Sequence, residues 1–404
     1  SFNWSEIFEN ISFLERILRQ DPDGTYGRMD LDSRNHYKRQ VGIIAKSYRV
    51  SELHIAREAI DLAKKAMEAS QAADEKAVAK DAATGRGEDN ASWSDEALAR
   101  KKTHVGYYLI GNGFALLERR QKGERKRAGR IESVPSDRLG QVYLAFVVLS
   151  TLLITALAVG YAAYTPGERG ILLLIVSGAA ALIPASEMAV CLGNWLVCKV
   201  KKPSFFPRLE LKDGIPDSLR TMVVIPALLT DEKRVVQLLE NMENHYLANR
   251  EDNLYFALIG AFSDSSGPKK KNDAGVLLAA SEGVKALNLK YAKEGRDLFY
   301  FYNRLRKFSE CDNKWIGWER KRGALMEFNE LLLGSQETSF IFYSNGKLPA
   351  DDIKYIITLD ADTMLPFGMA KKMIGTMAHP LNAPVVDPKR GIVTEGYGVM
   401  QPRI

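Results

Sequence analysis

Cysteine and histidine are scarce in this chain of 404 residues. Cys191, Cys198 and Cys311 are too few and too scattered for a disulfide framework or a zinc site, and the five histidines include no pair at i and i+4, which argues against a histidine-built metal centre. No loop has the glycine spacing of a dinucleotide site; Gly111-Asn112-Gly113 is the nearest approach and its spacing is wrong. Charge is missing from Leu139 to Gly167, and a second apolar run from Ile171 to Cys198 is interrupted only by Glu187. What is present is an ordinary globular balance, 46% hydrophobic and 26% charged, enough for two or three domains. The net charge of +6 comes from Lys and Arg bunched beside the apolar runs, which points to a membrane surface and not to nucleic acid.

Each apolar run exceeds the ~20 residues that a helix needs to cross a bilayer. Internal position and length exclude a signal peptide. With the short break TPGERG between them, the runs predict a transmembrane hairpin at 139–198, with helices at about 139–164 and 171–198. Both outer flanks, QKGERKRAGR and KVKKP, are basic, whereas the turn holds only Glu168 and Arg169; the positive-inside rule therefore places 1–138 and 199–404 in the cytoplasm. Glu187, with Pro184 nearby, either marks a pathway through the membrane or lies at the bilayer edge or against another helix.

Residues 1–138 read as a helical cytoplasmic region. SELHIAREAIDLAKKAMEA opens with Ser51 as N-cap and sets Leu53, Ala56, Ile60, Ala63 and Met67 on one face, a packing stripe. From Ala69 to Asn90 large apolar residues nearly vanish, which predicts a linker or mobile insertion. Residues 199–219 are read as a linker, and 220–404 as an α/β domain. Its signals are strand TMVVIP (221–226), a helix with Asp231 near its start, strand LYFALIGAF (254–262), a helix from about Asp273, a strand near Leu298 to Tyr302 and the helix GALMEFNELLL.

The stretch YIITLDADTML, residues 355–365, runs a buried strand, read as central and parallel, into Asp360 and Asp362. Two carboxylates at a strand's carboxyl end suit a hard divalent cation, Mg²⁺ or Mn²⁺, holding a diphosphate. The alternative is an Asp that caps a helix starting near Pro366. Phosphatases with an aspartate nucleophile place Gly-Thr after the second Asp, whereas Thr363 follows Asp362 directly. Asp264, after the second strand, falls on the same sheet edge, and Arg320, Lys321 and Arg322 crowd the start of a helix begun by Gly323, where cations and free N–H groups favour phosphate. Together these make a nucleotide-sugar site.

VVIPALLTDEKRV, the acidic SDS, WERKRGAL, ITLDADTMLP and MAHPLNAP followed by GYGVMQPRI resemble the glycosyltransferase region of the cyclic β-1,2-glucan synthases. DGTYGRMDLDSRNHYKRQV and HVGYYLIG resemble the region preceding it. The resemblance implies a GT-A-type sheet, incomplete at its C-terminus, in a multi-pass enzyme of the bacterial inner membrane. It implies UDP-glucose and Mg²⁺ or Mn²⁺, with Asp264, Arg320, Lys321, Arg322, Asp360 and Asp362 holding the donor and Asp360 and Asp362 the metal. The acceptor would be a linear β-1,2-glucan, in this family thought to be primed on the protein itself. Tyr300 and Tyr302 offer hydroxyls for such priming, though ordinary strand aromatics are the favoured reading. Inversion requires a general base, expected beyond residue 404 together with the acceptor motif and the cyclising and phosphorylase-like regions. Two alternatives remain at this stage: a synthase of another β-glucan or lipid-linked sugar, and a non-catalytic membrane scaffold.

Overall fold

The computed structural model describes residues 12–84, 93–124, 136–164, 170–200, 205–291, 296–335, 337–342 and 353–402. The basic run at 125–130, the turn at 165–169 and Lys201–Lys202, on which the orientation of the hairpin was read, lie outside the described residues. The chain divides into two compact units, Lys122–Phe206 and the combination of Ser1–Gln121 with Pro207–Ile404.

The larger unit opens with helices α1 (Phe13–Leu18), α2 (Thr25–Arg28), α3 (Leu31–Tyr48), α4 (Glu52–Thr84), α5 (Trp93–Thr103), α6 (Gly106–Leu109) and α7 (Phe114–Glu124). The Ser51 hydroxyl accepts from the His54 N–H at 3.1 Å; of the expected stripe Ala56, Ile60 and Ala63 are buried and Leu53 and Met67 half-buried, while Ile55 and Ala59 widen the buried face. It does not stop near Ala69. The Ala, Lys and Glu that looked like a linker are strong helix formers, and the helix runs on to Thr84. Gly111 and Gly113 make a tight corner; a Cβ on Gly113 would lie 2.4 Å from the Tyr107 ring.

The smaller unit holds α8 (Ser136–Tyr164) and α9 (Ile171–Val200). Leu139–Tyr164 and Ile171–Val200 are long and apolar enough to cross a membrane, and none and 6% of their most apolar windows are buried, unlike core helices. They pack along small residues, with Gly193 against Tyr143 and Phe146, and the Tyr143 hydroxyl donates to Asn194 Oδ1 at 2.9 Å. Pro184 lies within α9, and Glu187 is exposed on its surface.

Beyond residue 207 the larger unit resumes with β1 (Thr221–Leu229), α10 (Glu232–Ala248), β2 (Leu254–Phe262), α11 (Asp273–Tyr291), β3 (Phe299–Arg304), β4 (Lys307–Ser309), β5 (Lys314–Ile316), α12 (Arg320–Leu332), β6 (Phe340–Phe342), β7 (Tyr355–Thr358), α13 (Met369–Met377), β8 (Val385–Asp387) and β9 (Ile392–Glu395). The main sheet has the order β6-β3-β2-β1-β7, with β1, β2, β3 and β7 parallel and β6 antiparallel. Asp231 caps α10 by accepting from the Arg234 N–H at 2.9 Å, and Val235, Leu238, Leu239, Met242 and Tyr246 turn inward at helical spacing. Residues 221–226 and 254–260 are buried on both faces, as their continuous apolar runs require. The strand expected to be central, β7, is instead the edge strand beside β1 among the described residues, and only Ile357 of its four residues is fully buried.

The segment from Pro207 is built into this unit. Met29 pairs with Leu209, Arg208 meets Asp30 at 2.6 Å, and the Leu209 N–H donates to the Gly375 carbonyl at 3.0 Å. A Cβ on Gly375 would come within 2.3 Å of the Leu209 oxygen, so glycine is what lets the two backbones meet. Buried polar groups join the helices to the sheet region: Asp21 Oδ2 lies 2.6 Å from His104 Nδ1, Tyr37 Oη 3.0 Å from His104 Nε2, and the His104 and His379 rings meet edge-on at 5.1 Å.

Candidate functional site

Parallel pairing sets the carboxyl ends of β1, β2, β3 and β7 on one side of the sheet, and the strand order reverses between β1 and β7. A crevice at such a switch point is where open α/β sheets bind ligands. Asp360 and Asp362 follow β7 there and both are exposed; Asp264 follows β2 and is about one-third exposed.

The basic segment closes the edge. Arg320 Nη2 lies 3.2 Å from Asp264 Oδ2, and Lys321 Nζ bonds Asp360 Oδ1, so two consecutive residues tie the loops after β2 and β7 to one helix start. Arg322 turns away and pairs with Glu319 at 2.9 Å. The helix begins at Arg320 and not at Gly323, so these cations form its first turn. Gly323 serves another purpose: a Cβ there would meet the Trp318 carbonyl oxygen at 2.2 Å. Glu319 and Arg320 hold φ of 48° and 43°, a left-handed conformation that costs a non-glycine residue about 1–3 kcal/mol and persists where the surroundings impose it.

Each acidic loop has its own support, which the sequence reading missed. The Arg306 side chain is 1% exposed; its Nε donates to the Ser263 carbonyl at 2.7 Å and its Nη1 to the Pro268 carbonyl at 3.3 Å, fixing the turn that carries Asp264. Its guanidinium also grips Asp273 at 2.5 and 3.0 Å. Burial alone would raise the Asp273 carboxyl, but hydrogen bonds from Arg306 and the Lys270 N–H, with the charges of both residues, hold it below the usual carboxylate range. Backbone bonds between Ser265 and Trp315 at 2.8 and 2.9 Å anchor the same turn to β5.

The loop after β7 is stapled by one stripe of α10 and its C-terminal cap. Asn241 Nδ2 donates to the Ala361 carbonyl at 3.4 Å, His245 Nδ1 accepts from the Leu365 N–H at 3.3 Å, and Asn249 Nδ2 donates to the Pro366 carbonyl at 3.1 Å while its Oδ1 accepts from the Ala370 N–H at 3.1 Å. The i, i+4, i+8 spacing was the available signal. Burial lowers the His245 pKa, which keeps Nδ1 free to accept. Neither Asp360 nor Asp362 caps the following helix; α13 starts from Gly368, at φ 64°, with no side-chain cap. The capping alternative is thereby removed. Tyr300 and Tyr302 are buried in β3, with the Tyr300 hydroxyl donating to the Asp297 carbonyl at 3.0 Å, as ordinary strand aromatics.

Among the described residues no three His, Cys, Asp or Glu side chains converge. Asp360, paired with Lys321, and Asp362 are oxygen donors of the type Mg²⁺ takes, one or two carboxylates alongside several waters and phosphate oxygens.

Fold and candidate site thus define a mostly parallel α/β unit, with an edge of paired acids and bases, in a chain that also carries two membrane-length helices. Over 412 aligned positions the chain is 33% identical to the cyclic beta-(1,2)-glucan synthase NdvB of Rhizobium meliloti (strain 1021). The match takes in all of this chain and 13% of that protein's length, so the resemblance drawn from the motifs holds from end to end. No family model matches the chain.

Proposed function

We propose that the sheet edge is the donor site of a membrane-bound inverting glucosyltransferase that moves glucose from UDP-glucose onto a growing linear β-1,2-glucan. Similarity to a cyclic beta-(1,2)-glucan synthase supports a role in glucan synthesis. The observation that carries the finer reading is the double tie from one helix turn, Arg320 to Asp264 and Lys321 to Asp360. Cations and carboxylates within hydrogen-bond reach of each other at a switch point support a site in which a diphosphate and its counter-ion take over these pairings. The strand order, reversed between β1 and β7, supports a GT-A-type sheet. The two apolar helices support a membrane location, proposed as the bacterial inner membrane with the sheet in the cytoplasm.

In this mechanism Asp264 accepts hydrogen bonds from the uracil or ribose. Arg320 and Lys321 leave their carboxylate partners to bind diphosphate oxygens, and Asp360 and Asp362 hold Mg²⁺ or Mn²⁺. The cation, when bound, neutralises charge on the departing UDP. Arg306 and the α10 stripe keep the loops in place while the charges exchange partners. The acceptor, and the cyclising and phosphorylase-like regions implied by the resemblance, are partners of this site.

The test is calorimetric titration of UDP with Mg²⁺ into the detergent-solubilised chain. A hydrogen bond to a charged group contributes ~1.5–3 kcal/mol, so Lys321→Ala and Asp362→Asn each weaken binding about tenfold or more. Equal affinity for parent and both variants would refute the site.

A further inference from the structure

A buried guanidinium stands directly behind the two donor-site cations. Arg304 is the last residue of β3 and 1% exposed. Its Nη2 donates to the Trp318 carbonyl at 2.9 Å and its Nη1 to the Arg320 carbonyl at 3.0 Å, one on either side of Glu319. Nε and Nη2 reach the two Glu327 oxygens at 3.2 and 3.3 Å. One planar fork thus joins a strand end, the body of α12 and the left-handed turn at its start. Burial alone would raise the Glu327 carboxyl, but hydrogen bonds from Ser339 and Arg304, with the charges of Arg304 and Lys307, hold it below the usual range.

We propose that Arg304, held by Glu327, is the positioning residue for the diphosphate-binding turn: it clamps the two carbonyls that flank Glu319 and so aims Arg320 and Lys321 across the sheet edge. The proposal rests on the donor-site reading for its ligand, but its geometry does not. A strained turn persists only where the surroundings over-determine it. Here the clamp is a group with five donors in a fixed plane, which lysine, a point charge, cannot reproduce. Among the described residues no hydrogen bond or ion pair joins Arg304 to Asp264 or Asp360, so it acts through the turn.

The test uses the whole chain in detergent micelles with two variants. Arg304→Lys keeps a charge beside Glu327 but loses the fork. Arg304→Met combined with Glu327→Gln leaves no uncompensated buried charge and keeps an acceptor for Ser339, so the fold survives if the lysine variant does not. Two readouts are taken at a temperature where the thermal midpoint shows the fold intact. One is the Kd for UDP with Mg²⁺. The other is the rate of limited tryptic cleavage after Arg320, Lys321 and Arg322, compared with cleavage elsewhere in the chain. The expected result is at least a tenfold weaker Kd with cleavage at the turn at least fivefold faster and cleavage elsewhere unchanged. A folded variant with parental affinity, or with weaker affinity but parental cleavage at the turn, overturns the proposal. Faster cleavage at the turn, with UDP binding to neither parent nor variant, upholds the clamp and sinks the donor-site reading instead.

Discussion

Asn249→Ala tests how the loop bearing Asp360 and Asp362 is held. The side chain is 3% exposed and donates to the carbonyls of His245, Leu365 and Pro366 at 3.3, 3.4 and 3.1 Å, while accepting from the Ala370 N–H at 3.1 Å. Truncation does not cost the same at each partner. Pro366 is exposed, so water replaces the lost donor there; the carbonyls of His245 and Leu365 and the N–H of Ala370 belong to buried residues, 2%, 3% and 0% exposed, and lose this partner. Each such group costs about 1–3 kcal/mol, and because two amide hydrogens are shared among three carbonyls, with the bonds to His245 and Leu365 the longer ones, the sum is about 2–4 kcal/mol. If the loss is local, amides of 363–370 open about 100-fold more readily, since every 1.4 kcal/mol is tenfold. Hydrogen exchange read by mass spectrometry measures this directly: the peptide covering 360–370 accelerates while β1 and β2 keep their protection. Unchanged exchange in that peptide, or equal acceleration throughout the sheet, would refute the stapling argument.

Two further outcomes follow from the same geometry. Gly323→Ala drives a methyl into the Trp318 carbonyl oxygen, a backbone atom that the Arg304 fork holds, and is expected to destabilise the unit by about 1–3 kcal/mol in thermal unfolding; an unchanged midpoint would show that the turn yields freely. His245 and His379 both have pKa values lowered by burial, His379 further by His104 and Arg100, and each accepts a backbone N–H at Nδ1. A group whose folded pKa is depressed contributes stability that is fully present above its unfolded value, ~6.5 for histidine, and is lost as pH falls from there through the folded value. Unfolding at pH 7.5 and 5.5 should therefore show lower stability at 5.5, with a reduced difference in His245→Gln; a parental difference in that variant would remove His245 from the account.

Legibility in the sequence followed the physics of each element. The runs at 221–226 and 254–262 were plain because strands buried on both faces have no choice but to be apolar throughout, and α10 was legible with Asp231 near its start. Tyr355–Thr358 has the same apolar texture, yet among the described residues it pairs on one side alone, with β1, and only Ile357 of the four is buried. The three-residue strands β4, β5 and β6 carry little pattern, and the notable features of that stretch were its charges. Gly323 drew the expected helix start because glycine often marks a boundary, whereas here it admits a carbonyl oxygen. The candidate acids Asp264, Asp360 and Asp362 were visible because carboxylates after buried strands stand out. Their supports were not: Arg304 and Arg306 look like members of a solvated basic run, and Asn241, His245 and Asn249 like the polar side of an amphipathic helix. A buried arginine is recognised only once its carbonyl partners, distant in sequence, are in place.

The most direct measurement is incorporation of labelled glucose from UDP-glucose by membranes containing the protein in full, with chelator and with Mg²⁺ or Mn²⁺ restored, comparing parent and Asp362→Asn. The account predicts β-1,2-linked product that requires the cation and falls by at least a hundredfold in the variant, as expected when a charge-assisted contact to the departing group is lost at about 3 kcal/mol. Equal incorporation by parent and variant would contradict it.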